Sequence, residues 1–412
     1  MIYAFIRLWA TIFLRLYFRK TVVYGSEKVP IKGPLILASN HPSAFLEAAM
    51  LSTVMKRPIH FLVRGDMFNP KFKWLFDATK QIPIYRKKDG IANLRKNASS
   101  FDFTYKVLSE GESVLIFPEA KTTLEKKMRP IQRGTAHLAF GTLPFIKPGE
   151  DLFIQPVGVN FTEPRLPGTD VVIRFGEPFI AQNATREDRD AIEEFTEKLS
   201  NSMDELIIQV DDASEKKYDV LASVYLRMMY ENNPKANAHQ DLRKVAAFVN
   251  ASADGNDVIA SAEEILSILE KQKNSNAAYF PDLIVMNRIG LAMMSLLKIA
   301  WLIAGGWIWR VVRNFIFKKI STNTFQTPTT VGAFMVVMPL MTIILLIIFL
   351  ITGVPAYFVL LWLLVMWFGT LIRPPLHLVW GILMINSSTK SELKKDILLI
   401  RNSLQQMLAN AV

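Results

Sequence analysis

The chain has 412 residues, enough for one large domain or two to three ordinary ones, each with a buried core. It contains no cysteine, which removes disulfides, thiolate metal sites and thiol nucleophiles together. At 50% hydrophobic and 21% charged residues, with a mean hydropathy of +0.21, it is too apolar for an ordinary soluble enzyme and too charged to be membrane span throughout.

The net charge of +11 is unevenly placed: residues 1–130 hold 22 Lys and Arg against 10 Asp and Glu, whereas the remainder holds 26 against 27. A basic excess of this kind suits nucleic acid, an anionic lipid surface or phosphorylated substrates. Two long apolar runs downstream favour lipid and phosphate, and no nucleic-acid partner is expected.

Residues 1–24 open with MIYAFIRLWATIFLRLYFRK, apolar and aromatic with Arg7 and Arg15 at intervals and no small-residue cleavage site. This reads as an interfacial membrane helix. From 25 to 185, short apolar runs recur between turn residues: 35–38, 59–63, 82–85, 113–117, 151–161 and 171–176. That rhythm predicts an α/β domain, a mixed sheet flanked by helices, with helices around 43–55 and 99–110. Residues 186–288 are charged and periodic at helical spacing, an accessory helical region without recognisable chemistry. The stretch 289–320 is apolar but carries Lys298 and Arg310, an interfacial, buried or spanning helix.

Residues 331–372 contain no charged side chain, about twice the roughly 20 residues that cross a bilayer as helix. Gly353-Val354-Pro355 breaks the run, so a C-terminal transmembrane helical hairpin is predicted. Lys318 and Lys319 before it and Arg373 after it place both flanks, and the active site, on the cytoplasmic face. An amphipathic helix over 388–412 closes the chain, opened by Thr389 with Glu392 in a capping-box pattern.

The segment SNHPSAFLEA, 39–48, carries the chemistry. Pro42 biases His41 away from helical geometry and suits the first turn of a helix, so His41 is expected at a strand-to-helix junction. Open α/β sheets bind ligands at such strand ends. Glu47, about a turn and a half into that helix, can bond one imidazole nitrogen and fix the tautomer of the other. His41 can then take a proton from a substrate hydroxyl, which attacks an acyl carbonyl with no enzyme nucleophile. Three more strands end in chemistry: Arg64 in VRGDMF, Arg86 with Lys87 and Lys88 in IPIYRKKDG, and Pro118-Glu119 in SVLIFPEAKT. Arg at strand ends suits a bidentate phosphate.

Together these segments resemble the glycerolipid acyltransferase superfamily, over about residues 30–180, nearest the glycerol-3-phosphate and dihydroxyacetone-phosphate branch. The resemblance implies that His41 is the catalytic base with Glu47 as its acidic partner. It implies acceptor and phosphate binding by Arg64, Arg86, Glu119 and Lys121, with Pro118, Pro156 and Val157 shaping the acyl site. The implied reaction moves a fatty acyl group from acyl-CoA or acyl-ACP (acyl carrier protein) to glycerol 3-phosphate or dihydroxyacetone phosphate in phospholipid synthesis, on a lipid membrane. Lysophosphatidate as acceptor is the alternative. Glu47 stands for the usual Asp and Ala120 for the usual Gly, which keeps a catalytically inactive, lipid-binding membrane protein as a reading of another class. No cofactor and no metal site are expected: the five histidines, at 41, 60, 137, 239 and 377, lack helical partners of their own kind. A serine hydrolase is disfavoured, since there is no G-x-S-x-G elbow.

Overall fold

The computed structural model describes residues 2–68, 71, 73–85, 97–181, 184–230, 233, 236–252, 256–368 and 374–409. The chain divides into two compact units, one of Met1–Ile12, Val23–Asn160 and Ile173–Ile207, the other of Phe13–Val22, Phe161–Val172 and Ile208–Val412.

The first unit is organised by a mixed sheet. The strands are β1 (Lys20–Tyr24), β2 (Leu35–Ser39), β3 (Ile59–Arg64), β4 (Gln81–Ile84), β5 (Ser113–Ile116), β6 (Phe153–Phe161), β7 (Asp170–Phe175) and β8 (Phe179–Ile180), with Lys20–Val22, Phe161 and Asp170–Val172 counted in the second unit. They lie in the order β1-β7-β6-β2-β5-β3-β4, with β8 pairing β6. The predicted α/β class and the six apolar runs are therefore borne out. β2 is parallel to β5 and β6, β3 is parallel to β4 and β5, and β8 is antiparallel to β6. All five residues of β2 are buried, as expected of a central parallel strand covered on both faces.

Helices α1 (Ile2–Tyr17), α2 (Leu46–Val54), α3 (Lys73–Ala78), α4 (Asn97–Ser109), α5 (Gly134–Thr142) and α6 (Arg189–Asp204) accompany the strands. One core gathers Ile36, Val114 and Ile154 from the sheet with Leu108, Phe140, Phe195 and Leu199 from α4, α5 and α6. Each such side chain contributes about 1.5–3 kcal/mol on burial. At the start of α1, Tyr3 Oη accepts from the Ile59 amide at 3.2 Å and Arg7 donates to the Met55 carbonyl. The opposite side leaves Ile2, Phe5, Leu8 and Ile12 exposed, a stripe at helical spacing. The sequence expectation of helix through 24 is corrected here: the helix stops at Tyr17 and Lys20–Tyr24 form β1. Arg19 makes two 2.9 Å bonds to the buried Asp170, both in the second unit.

The second unit is helical: α7 (Glu215–Val224), α8 (Ala238–Ala251), α9 (Asp257–Lys271), α10 (Pro281–Val285), α11 (Arg288–Trp301), α12 (Trp307–Lys319), α13 (Asn323–Thr352), α14 (Ala356–Phe368), α15 (Leu376–Met384) and α16 (Ser387–Ala409). α9 packs on α7 and α16, and α12 runs along α13. A π-helical turn at Leu302–Gly306 separates α11 from α12. The stretch Arg288–Lys319 and the helix Asn323–Thr352 are long and apolar enough to cross a membrane.

The predicted break falls at Gly353, whose φ of 67° ends α13. Two details differ from the expectation. α13 begins at Asn323, eight residues before the uncharged run, and the end of that run, 369–372, lies outside the described residues. At the last helix Asn386, not Thr389, is the cap: its Oδ1 accepts from the Thr389 amide at 2.8 Å, so the helix starts at Ser387.

Candidate active site

Because β2, β5, β3 and β4 run parallel, their carboxyl ends share one edge of the sheet. Just beyond β2, the Asn40 side chain donates to the Val159 carbonyl at 2.9 Å and accepts from its amide at 2.8 Å. The amide replaces a rung of the backbone ladder, so the chain leaves the sheet while β6 stays satisfied. This two-point grip fixes where His41 emerges.

His41 is held from three sides. Its carbonyl accepts from the Thr123 amide at 3.2 Å. Its ring stacks on Phe117 with centroids 4.0 Å apart and planes 13° from parallel. Nδ1 is bonded to Glu47 Oε1, and the other oxygen, Oε2, accepts from the Ser43 amide at 3.2 Å. Glu47 is fully buried, whereas the His41 side chain keeps 17% exposure. Nε2 is thus the nitrogen left to meet a ligand.

The local chain differs from the helix expected at 43–55. α2 starts at Leu46, because Ala44 adopts φ 52° and a left-handed residue cannot continue a right-handed helix. Pro42 therefore lies in the preceding turn, and Glu47 in the first turn of α2 rather than deeper in it. From there its carboxylate spans both Ser43 and His41.

β5 leads into Phe117-Pro118-Glu119. Glu119 is 5% exposed, and its carboxyl is pushed up to about 7, chiefly by burial. The charges of His41 and Arg129 act the other way, and Glu47 adds to the rise. Ala120 turns the chain at φ 55°. A left-handed conformation at a residue other than glycine costs about 1 kcal/mol. Beyond it, Arg129 donates to Glu125 at 3.0 Å and to Thr123 at 3.2 Å, which ties the loop that bonds His41.

The remaining expected residues are less gathered. Arg64 ends β3, half exposed, with its guanidinium on Asp66, Nε to Oδ1 at 3.1 Å. Lys121 is exposed beside the loop. Arg86, with Lys87 and Lys88, lies outside the described residues. Pro118 is buried and its carbonyl accepts from Gln132 at 2.9 Å. Pro156 and Val157 are buried in β6, in register with Ala38 and Ser39. Sequence reasoning missed the structural parts of the site, namely the Asn40 clamp, the Phe117 ring and Arg129. Among the described residues, no group of three or more His, Asp or Glu could hold a metal ion.

What the arrangement can do is hold an imidazole in one tautomer, with the buried carboxyl of Glu119 near it, at the edge where a substrate would lie. A crystal structure of the 1-acyl-sn-glycerophosphate (LPA) acyltransferase PlsC from Thermotoga maritima is similar at 17% identity and a TM-score of 0.36, over 49% of this chain and 78% of that one. No curated protein matches the chain. Residues 20–160, from β1 into β6 and including His41, Glu47, Arg64 and Glu119, match the family model described as Acyltransferase.

Proposed function

We propose that the first unit is an O-acyltransferase that moves a fatty acyl group from acyl-CoA or acyl carrier protein to a hydroxyl of glycerol 3-phosphate or dihydroxyacetone phosphate. The observation that carries this reading is the Glu47–His41 contact at the strand edge, inside the segment that matches the Acyltransferase model. Glu47 holds the proton on Nδ1, so Nε2 accepts the acceptor's hydroxyl proton. The hydroxyl oxygen attacks the thioester carbonyl carbon, the C–S bond breaks, and the leaving thiolate takes the proton back from Nε2. No covalent enzyme intermediate is needed. Glu119, near half-protonated around neutral pH, can both accept from and donate to acceptor hydroxyls. Arg64, Arg86 and Lys121 are assigned to the acceptor phosphate, and Pro118, Pro156 and Val157 to the acyl side.

The lipid membrane is the partner surface. The exposed stripe on α1 and the apolar helices of the second unit support this. Basic flanks at Lys318, Lys319 and Arg373 favour a cytoplasmic active site. The intact Glu47–His41 contact favours catalysis over lipid binding alone, despite the Glu47 and Ala120 departures.

The test is an assay of membranes carrying the wild type or His41→Ala. Labelled acyl-CoA and acyl carrier protein are offered with glycerol 3-phosphate, dihydroxyacetone phosphate and lysophosphatidate. Product from the wild type alone supports the reading, and its identity names the acceptor. No product with any pair would sink it.

A further inference from the structure

A cavity of ≈ 450 Å³ lies wholly within the second unit, among α11, α12, α13 and the loops around them. Four cations line it: Arg165, Lys298, Arg310 and Arg313. Arg165 is paired with Glu163, Nε to Oε1 at 2.8 Å, and Glu163 is the one carboxylate among the lining residues. Arg310 and Arg313 therefore face the cavity with no carboxylate among its lining residues left to pair with them.

The placement of the cations is graded. Lys298 is 5% exposed, its ammonium 4.0 Å from the centre of the Trp301 ring. Arg310 and Arg313 are exposed at the mouth, one helical turn apart on the same face of α12. Like charges at that spacing repel by a few tenths of a kcal/mol, a cost that an anion between them would reverse. Neither arginine has a hydrogen bond or ion pair to another described residue.

The facing wall changes character along its length. On α13 the lining residues are Asn323, Gln326, Thr327 and Thr330, then Phe334 and Met338. At ~1.5 Å per residue, this stripe runs roughly 22 Å from polar to apolar. The apolar end is built of packed rings: Phe334 meets Trp309 at 5.1 Å and 90°, and Phe13 at 5.6 Å and 74°. A free phosphate would have no use for that end, and a neutral lipid none for the cations. The volume is in the range of specific ligand pockets.

We infer that this cavity binds a glycerophospholipid, its phosphate held by the guanidinium forks of Arg310 and Arg313 and one acyl chain lying along Trp301, Phe334 and Met338. It is separate from the His41 site and does not rest on the acyltransferase reading.

The full chain, purified and delipidated in detergent, would be titrated with phosphatidate, diacylglycerol and inorganic phosphate and followed by native mass spectrometry. Phosphatidate is expected to bind, diacylglycerol at least tenfold more weakly, and phosphate alone not measurably. Arg310→Gln with Arg313→Gln, both exposed and so neutral to folding, should weaken one bound phosphatidate at least tenfold. A lipid seated at the His41 site is untouched by these changes. Met338→Trp, which fills the apolar end, should weaken the same lipid, while Lys318→Gln, outside the cavity, should not. Equal binding of diacylglycerol, tight binding of phosphate alone, or no response to the two arginine substitutions would overturn the proposal.

Discussion

At the carboxyl edge of β2, both oxygens of Glu47, the amide of Asn40 and the carbonyl of His41 are bonded to protein partners. Along the mouth of the second unit's cavity, Arg310 and Arg313 have no such partner among the described residues. The first arrangement spends its hydrogen bonds on holding one imidazole still, the preorganisation that proton transfer requires. The second leaves cations to be satisfied from outside. A buried network thus marks where chemistry is set up in advance, and an unsatisfied cluster over aromatic walls marks where a ligand completes the structure.

Breaking the first network has the largest expected effect. Glu47→Ala should lower acyl transfer about 10²-fold or more, within the range attributed to general-base help. It also leaves the Ser43 amide unpaired, at a cost of about 1–3 kcal/mol that lowers the melting temperature. Glu47→Gln sharpens the point: it can still accept from Ser43, so the melting temperature should recover while the rate does not. Equal recovery of both would make Glu47 a structural residue only.

The apolar surface of α13 gives the next effect. Ile344, 49% exposed, lies among other exposed aliphatic residues on that helix. Ile344→Lys should cost about 2.5–3.5 kcal/mol if it faces hydrocarbon. Alkaline carbonate should then release more of the variant than of the wild type from membranes, and equal release would place α13 outside the bilayer.

Glu119 comes third. Its folded value near 7 lies above its ordinary value of 4.5, so the native state keeps a proton that the unfolded chain releases between those pH values. Stability should fall as pH rises through that window and level off above about 7. Glu119→Gln should flatten this slope and exceed the wild type by on the order of 1–3 kcal/mol at pH 8, read by denaturant titration. The smallest effect is Ala120→Gly, expected to gain at most about 1 kcal/mol by relieving φ 55°.

Legibility followed sequence distance. Six strands were readable because each is a contiguous apolar run, and His41 with Glu47 because only six positions separate them. Asn40 stood in the same motif, yet its partner Val159 is 119 residues away, and nothing local announces that β6 lies beside β2. β1 was hidden because KTVVY follows an apolar helix and Arg19, whose buried Asp170 partner is 151 residues on. β8 has two residues, too few for a period. The late start of α2 was missed for another reason: a positive φ at Ala44 is a tertiary outcome that no alanine advertises. The Gly-Val-Pro break was plain, since its signal is chemical and local.

The central claim is that His41 and Glu47 act as one unit. A double-mutant cycle on acyl transfer tests it most directly, comparing the wild type, His41→Ala, Glu47→Ala and the double variant. If Glu47 works only through His41, the double variant should be no slower than His41→Ala alone. Losses that multiply would show that the two residues act independently and would contradict the account.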